Sequence, residues 1–477
     1  MNALLVHIPK GFASLDWRNN YINIMPMGLF PIANYANALG HRVNVTNLSR
    51  YASRDRALDI LFERIGQTDA RVIGFSLHWH LSALDVLFAI SKVKERLPHV
   101  HTVIGGISAS VYARQFMERA PGLDGVIQGD GERPFAVLLD AIESSGEEWG
   151  QVPNLWWREC GEIVFNGVTY VASQEEYSAL DFDINKSMFD VEEYVAGRSL
   201  FDAMAGNYET VTEIDISERP FFVNIGRGCS YNCVYCSGSR SVFEEFFGRQ
   251  ELCIRSSASV VRTFLDAYEL GFRLFHICFD PRFPGKEKFY ADVMSGLSSV
   301  LNDGRLLFEL YELPSRDFIA NCAETFSHTT LVYSPCFFDE NLMRRYKGYH
   351  YSSEEMEESL NLCGEFSKVS AFVYYAITPL ESFGTKDIAR YVERMKCLRE
   401  RYGCKVSAMP VMAEPGSPWL LRPNDFGVVD PGIDFDVFLE EWEKSLTAWS
   451  PRLCYGMDNV NEVFRAITKG SGNAVLE

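Results

Sequence analysis

Short apolar runs alternate with helical patterns in two separate parts of the chain. In the first part, runs such as "ALLVHI" and "RVIGFSL" have the length of buried strands, and "SALDVLFAISKVKERL" places Leu84, Leu87 and Ile90 near one face of a helix. Five such strands alternate with helices over residues 1–150. This order predicts an α/β domain of the flavodoxin-like (Rossmann-type) kind, with helices on both faces of a parallel sheet.

The second alternation begins at "RPFFVNIGRGC" and covers residues 218–430. Strand-like segments recur at "FRLFHICF", "GRLLFEL", "TTLVY", "VSAFVYYAI" and "CKVSAMPVM", with helical patterns between them. Six strand–helix units are too few for an eight-fold barrel and suit an open, partial (β/α)6 barrel. Residues 151–217 predict a linker with a small β element, and residues 431–477 predict a C-terminal helical extension.

Composition and charge narrow the classes of function. A chain of 477 residues with 47% hydrophobic residues can bury large cores. Its net charge of −19 disfavours nucleic acid and anionic membranes as partners, because phosphates would be repelled. No run approaches the ~20 apolar residues of a membrane span, and the first residues do not resemble a signal peptide. We therefore expect a cytoplasmic protein that has neither nucleic acid nor a membrane as its partner.

Three of the twelve cysteines lie together in "GRGCSYNCVYCSGS". Cys229, Cys233 and Cys236 follow the first strand of the second alternation, at the end where α/β barrels place their chemistry. Three thiolates on a [4Fe–4S] cluster would leave one iron open to a substrate or cofactor. Zinc is the alternative, although structural zinc sites take four protein ligands and no second cysteine pair is visible. A disulfide would leave one thiol over.

The Cys-x3-Cys-x-aromatic-Cys loop resembles the signature of the radical S-adenosylmethionine (SAM) superfamily, and the resemblance covers residues 218–430. It implies that the three cysteines bind three irons and that SAM chelates the fourth. It also implies that an electron from an external flavodoxin- or ferredoxin-type donor allows cleavage of SAM to a 5′-deoxyadenosyl radical. The SAM contacts that the resemblance implies are Tyr235, Gly238, Asp280, Glu309, Ser334, Pro415 and Gly416.

Several of these residues have a plainer interpretation. Tyr235 could pack beneath the loop instead of lying beside the adenine, and the residues at the strand ends could belong to ordinary turns. Glu312 is a further polar candidate at the third strand. Cys336 could be a second catalytic thiol or an idle buried one. No other catalytic residue is singled out by the sequence.

Residues 1–150 resemble the cobalamin-binding domain that precedes many radical SAM enzymes. The resemblance rests on "PMGLFPIANYANALGHRV", "VIGFSLHWH", "TVIGGISAS" and "GVIQGDGERPF", in that order. Glycines let the backbone approach a flat ring, and helix N-termini offer N–H donors. The cobalamin contacts that this resemblance implies are Gly28, Ser76, His78, Trp79, Gly105, Gly106, Gly129, Asp130, Gly131 and Glu132.

The loop after the first strand departs from one cobalamin pattern. "HIPKGFASLDW" lacks the Asp-x-His-x-x-Gly motif whose histidine binds cobalt in another type of cobalamin protein. Trp79 could block the lower face of the corrin, or His78 or His80 could bind cobalt. The domain could also be a scaffold that no longer holds cobalamin.

The sequence thus predicts a cobalamin-dependent radical SAM enzyme with a [4Fe–4S] cluster, SAM and cobalamin as cofactors. Methylation of an unactivated carbon in a small metabolite is the first hypothesis. A rearrangement or cyclisation without methyl transfer is the second, with the cobalamin domain assisting or serving as scaffold. The third is a non-catalytic metalloprotein that binds partners.

Overall fold

The computed structural model describes residues 1–8, 25–51, 54–78, 82–144, 148–196, 220–444 and 449–471. It is a mixed α/β structure that divides into two compact units. The first unit comprises residues 1–201 and 242–253, and the second comprises residues 202–241 and 254–477. The segment Val242–Cys253, which follows the cysteine loop in sequence, therefore packs with the first unit.

A seven-stranded sheet organises the first unit, in the order β2-β1-β3-β4-β5-β6-β7. Its first five strands are parallel in the order 2-1-3-4-5, which is that of flavodoxin-like folds. The last two are antiparallel and come from residues 151–217, the region predicted to be a linker. The strands are β1 (Asn2–His7), β2 (Arg42–Asn47), β3 (Val72–Ser76), β4 (His101–Gly105), β5 (Gly125–Ile127), β6 (Leu155–Glu159) and β7 (Glu162–Phe165).

Helices connect the parallel strands of this unit, as the sequence pattern predicts. The α-helices are Leu29–Ala38, Arg54–Thr68, Ala83–Arg96, Ile107–Val111, Ala113–Arg119, Glu132–Glu143, Gln174–Ser178 and Val191–Ala196, and the 3-10 helices are Leu48–Arg50, Trp149–Gln151 and Ile184–Lys186. The helix Ala83–Arg96 turns Val86, Ile90 and Val93 inward. The helix is therefore confirmed, but Leu84 and Leu87 of the predicted apolar face are only half-buried, and Val86 takes their place in the core.

A six-stranded sheet organises the second unit, in the order β15-β14-β13-β12-β11-β8. Every neighbouring pair is parallel and the strands follow their order in the chain. A partial barrel requires this order, and closure into a barrel stays a prediction. The six strands are β8 (Pro220–Phe222), β11 (Leu274–Ile277), β12 (Arg305–Leu310), β13 (His328–Cys336), β14 (Val369–Ile377) and β15 (Lys405–Pro410). The short strands β9 (Gly226–Arg227) and β10 (Cys253–Ile254) lie outside this sheet.

Serine caps begin several helices that link these strands. The hydroxyls of Ser256, Ser315 and Ser352 each accept a hydrogen bond from an N–H of the first helical turn, which otherwise has no partner. The helices from Arg240 onward are Arg240–Phe247, Ser257–Glu269, Lys286–Leu297, Arg316–Thr325, Glu340–Tyr346, Ser353–Gly364, Thr385–Tyr402, Pro418–Leu421, the 3-10 helix Pro423–Phe426, Phe435–Lys444 and Val460–Gly470. Among all the described helices, none has the length and apolar character needed to cross a bilayer.

Candidate cofactor sites

The cysteine loop follows β9 in the second unit, and each of its three thiols is half-buried. Each sulfur also accepts a hydrogen bond from a backbone N–H: Cys229 from Tyr231 at 3.4 Å, Cys236 from Gly238 at 3.3 Å and Cys233 from Gly348 at 3.3 Å. Donors aimed at sulfur favour the thiolate and tune the potential of a bound cluster. Gly238, a predicted SAM contact, thus serves the cysteine loop through its N–H group.

The three thiols lie close enough to influence one another electrostatically. Burial, with a contribution from the neighbouring Cys233, raises the pKa of Cys229 to about 11 against the effect of the hydrogen bond from the Tyr231 N–H. Burial also raises the pKa of Cys236 well above its usual range, with Glu414 and Cys233 adding to the effect. Thiolates this close together are unfavourable without a cation between them. The donor set therefore fits an iron–sulfur cluster, whose positive core offsets most of the charge of three thiolates.

A turn at residues 346–349 lies directly against the cysteine loop. The N–H of Val234 donates to the carbonyl of Tyr346 at 3.1 Å, and the N–H of Gly348 reaches Cys233. A Cβ on Gly348 would lie 2.6 Å from a backbone nitrogen of the loop, a distance that real Cβ atoms do not tolerate. Only glycine therefore allows this approach.

A second segment, residues 414–419, holds the other side of the loop. The carboxylate of Glu414 accepts from the N–H of Ser237 at 2.7 Å, and the N–H of Trp419 donates to the carbonyl of Val234 at 3.0 Å. Pro415 and Gly416 are buried in this turn, where Gly416 has a left-handed φ of +72°. The structure thus gives this turn a role in holding the loop.

Tyr235 and Cys336 meet beside the loop. The Tyr235 ring lies 5.8 Å from that of Trp419 and 6.2 Å from that of Phe337, and its hydroxyl is close enough to the Cys336 thiol for each to shift the pKa of the other. Cys336 is buried and has a left-handed φ of +71° at an irregularity in β13. A left-handed non-glycine residue is uncommon and costs conformational energy. The structure therefore brings the Cys336 thiol next to Tyr235, which directly precedes the predicted cluster ligand Cys236.

Two of the other predicted SAM contacts of the second unit, Asp280 and Glu309, are engaged within the protein. Asp280 is buried, and its carboxylate accepts hydrogen bonds from Lys286 Nζ at 2.8 Å, Tyr290 at 3.0 Å and the N–H of Tyr311 at 3.1 Å. Glu309 lies 2.8 Å from the ring of His276, and Glu312 pairs with Arg282. Ser334 is half-buried within β13.

Several buried polar atoms near the carboxyl ends of the strands have no hydrogen-bond partner among the described residues. They are Lys347 Nζ, Thr378 Oγ1 just after β14, and Ser417 Oγ and Trp419 Nε1 after β15. A buried polar atom left unpaired costs about 1–3 kcal/mol. Their position at this edge fits a polar ligand such as SAM, which would supply the missing partners.

Glu381, four residues beyond β14, is a buried carboxyl group near Cys336. Its Oε1 accepts from the N–H of Asp339 at 2.9 Å. Burial raises its pKa to about 7, against the effect of its backbone hydrogen bonds. The folded protein therefore holds a proton on Glu381 at pH values where the unfolded chain has lost it.

This proton predicts a pH-dependent stability. The free energy of unfolding should fall by up to about 3 kcal/mol as the pH rises from about 4.5 to about 7, because the stabilising proton is lost as the pH passes the folded-state pKa. Glu381→Gln should remove this slope in urea denaturation of the full chain. The exposed Glu400→Gln is the matched control, and a slope that persists unchanged in Glu381→Gln would contradict the prediction.

The predicted cobalamin residues of the first unit lie at the carboxyl ends of its parallel strands. Ser76 ends β3, and its hydroxyl lies 3.0 Å from Nδ1 of His7, which ends β1. Burial lowers the pKa of His7 to about 4, with a contribution from His78, so the ring is neutral at pH 7. Sequence reasoning missed His7, although its place at the end of the first strand was a signal. Trp79 and His80 lie outside the described residues.

Glycines at this edge have two different roles. Gly106 has a φ of +117°, and its Cβ would lie 2.6 Å from the carbonyl oxygen of Leu77, so the protein's own backbone requires glycine there. Gly28 is exposed, and an added Cβ would meet nothing within 4 Å. An added Cβ on Gly105 would make only an ordinary contact, at 3.6 Å. This open edge fits a flat ligand such as a corrin.

The loop at residues 129–132 is held by the protein itself. The buried carboxylate of Asp130 forms an ion pair with buried Arg249 and accepts from the N–H of Ala172 at 2.8 Å. Gly129 has a left-handed φ of +85°, and its N–H donates to Ser110 at 2.9 Å. Gly131 precedes the helix Glu132–Glu143, whose first residue is fully buried. The charge of Asp130 is thus compensated within the unit.

Comparison with known proteins identifies a cobalamin-binding domain in the first unit. Residues 21–139 match the family model of the B12 binding domain. The hopanoid C-3 methylase of Methylococcus capsulatus is 23% identical over 46% of this chain and 36% of its own length. The anaerobic magnesium-protoporphyrin IX monomethyl ester cyclase of Rubrivivax gelatinosus is 25% identical over 30% of this chain and 23% of its own. The matched regions thus span about a third or less of these relatives.

A solved structure is also similar, at a lower level. Streptococcus suis SuiB bound to S-adenosylmethionine is 11% identical over 70% of each chain, with a TM-score of 0.24, which is too low to inform on the fold. The similarity to radical SAM enzymes with a cobalamin-binding domain rests instead on the B12 binding domain, the two relatives and the three-cysteine loop. The first unit thus contains a B12 binding domain, and the chain is similar to radical SAM enzymes that carry such a domain.

Proposed function

We propose that this enzyme holds a [4Fe–4S] cluster with Cys229, Cys233 and Cys236, cleaves SAM reductively to a 5′-deoxyadenosyl radical, and methylates an unactivated carbon of a small metabolite. When bound, the cluster supplies the electron for SAM cleavage and cobalamin carries the methyl group. The observation that carries the proposal is the cysteine loop, in which three thiols each accept a backbone N–H.

The residues around the loop have separable roles in this proposal. Gly348 and Glu414 hold the loop backbone from two sides, which keeps the three sulfurs in the arrangement that a cluster needs. Thr378 and Ser417 offer buried polar atoms to SAM or to the substrate. In the first unit, the open edge at Gly28 receives the corrin, and neutral His7 lies at the end of β1.

Methyl transfer is favoured by the B12 binding domain together with a relative that is named as a methylase. The second candidate is a radical rearrangement or cyclisation, because another relative is named as a cyclase. In that case cobalamin assists or its domain serves as scaffold. The net charge of −19 supports a small metabolite over nucleic acid as substrate, and the electron would come from an external donor of flavodoxin or ferredoxin type.

Anaerobic reconstitution of the full chain with iron, sulfide and cobalamin tests the proposal. We expect about four irons per chain, retained cobalamin, and SAM cleavage once dithionite is added. Methylation predicts both S-adenosylhomocysteine and 5′-deoxyadenosine when candidate metabolites are supplied, whereas 5′-deoxyadenosine alone would favour the rearrangement. A protein that binds zinc and no iron, or that never cleaves SAM, would overturn the proposed function.

A further inference from the structure

Lys347, at the cysteine loop, is one of the polar groups, unpaired within the described part of the chain, that fit a ligand such as SAM, but its positive charge has no role in the function described so far. Lys347 is only 6% exposed, and its Nζ has no hydrogen-bond partner among the described residues. It lies 4.1 Å from the centre of the Tyr349 ring, which offers a cation–π contact. Burial of an ammonium without a counter-ion costs several kcal/mol, so this position is unfavourable unless negative charge comes close to it.

The groups that act on the Lys347 ammonium by charge are two cysteine sulfurs, which carry negative charge when they are thiolates. Burial lowers the pKa of Lys347 to about 8, while Cys336 and Cys233 act in the opposite direction, which places the ammonium within electrostatic reach of both sulfurs. Its chain neighbour Gly348 donates its N–H to Cys233. The position of Lys347 relative to the loop is therefore fixed by the same turn that holds the cluster ligands.

We propose that Lys347 is a positioning residue whose ammonium stabilises the reduced form of the iron–sulfur cluster. Each electron added to the cluster and its three thiolates makes the group more negative, and a buried cation nearby favours that state. The electron comes from the external donor, the cluster is reduced from [4Fe–4S]2+ to [4Fe–4S]+, and Lys347 keeps its proton throughout. This inference rests on the proposed function, because it requires the cluster.

A redox titration of the reconstituted full-length protein, without SAM, tests the inference. At a fixed solution potential, EPR counts the reduced clusters. Lys347→Met should lower the ratio of reduced to oxidised cluster about tenfold, which is 59 mV for one electron. Lys347→Arg keeps the charge and should restore most of the ratio. Lys288→Met removes the same charge from an 80% exposed position and should leave the ratio unchanged.

The outcomes separate this inference from the proposed function. If wild-type protein takes up no cluster, the proposed function fails and the inference fails with it. If Lys347→Met holds its cluster and keeps the wild-type ratio, or shifts only when SAM is present, the inference alone is overturned. If Lys347→Met cannot hold a cluster, the iron content of Lys347→Arg decides the matter. Iron retained by Lys347→Arg supports the need for positive charge at this position, whereas loss of iron from Lys347→Arg overturns the inference.

Discussion

Gly348→Ala is expected to abolish cluster binding while leaving the rest of the fold intact. The new Cβ would lie 2.6 Å from the backbone nitrogen of Asn232 and 2.6 Å from Cβ of Tyr231. Neither neighbour is the free end of a flexible side chain, so either the turn or the cysteine loop has to move. Either movement breaks the hydrogen bond from the Gly348 N–H to Cys233. A displacement of about 1 Å is large for a metal site.

Iron and sulfide per chain after anaerobic reconstitution measure this effect. Wild-type protein should carry about four irons, and Gly348→Ala should carry close to none. Gly364→Ala is the matched control, because it changes a glycine of the same unit where an added Cβ meets nothing within 4 Å. Circular dichroism establishes that both variants are folded. Full iron content in folded Gly348→Ala would show that the contact does not matter for the cluster.

Asp130→Asn is expected to destabilise the protein by about 3–5 kcal/mol, which is typical when one member of a buried ion pair is removed. The substitution keeps the shape of the side chain but leaves the Arg249 guanidinium buried without its carboxylate. Arg249 also donates to the carbonyl of Ala172 at 3.0 Å, so it cannot turn to solvent without breaking that contact. Urea denaturation, followed by tryptophan fluorescence, measures the loss.

Two further variants identify the cause of the stability lost in Asp130→Asn. Glu118→Gln removes an exposed ion pair with Arg114 in the same unit and should cost less than about 1 kcal/mol. The double variant Asp130→Asn/Arg249→Met removes both charges and should be more stable than the sum of the single changes predicts. If Asp130→Asn is as stable as Glu118→Gln, the buried pair contributes little.

The strand order of both sheets followed well from local patterns. The apolar runs predicted β1 to β5 and the strands of the second sheet, because buried parallel strands have few polar residues along their length. The antiparallel pair β6 and β7 was predicted only as a small β element of a linker. Its attachment to β5 could not be predicted, because an edge pairing depends on which strand edge remains open after the parallel sheet forms.

The candidate sites were predictable only where their residues are close in sequence. Cys229, Cys233 and Cys236 share one loop, so their spacing and the position of the loop after a strand predicted a metal centre. Lys347 and Glu414 reach the same loop from distant segments, and neither carries a local signal of that role. Asp130 was predicted to contact cobalamin, and its engagement by Arg249 depends on packing that no sequence period encodes.

By itself, the sequence determined the α/β class, the parallel order of the strands and the three-thiol loop, because periodicity and ligand spacing are local properties of the chain. Only the tertiary structure decided what surrounds that loop. It brought the N–H of Gly348 to Cys233, the Tyr235 hydroxyl to Cys336 and the buried ammonium of Lys347 to the same place. Such contacts join residues about a hundred positions apart, and they form only when neighbouring strands align their carboxyl ends at one edge.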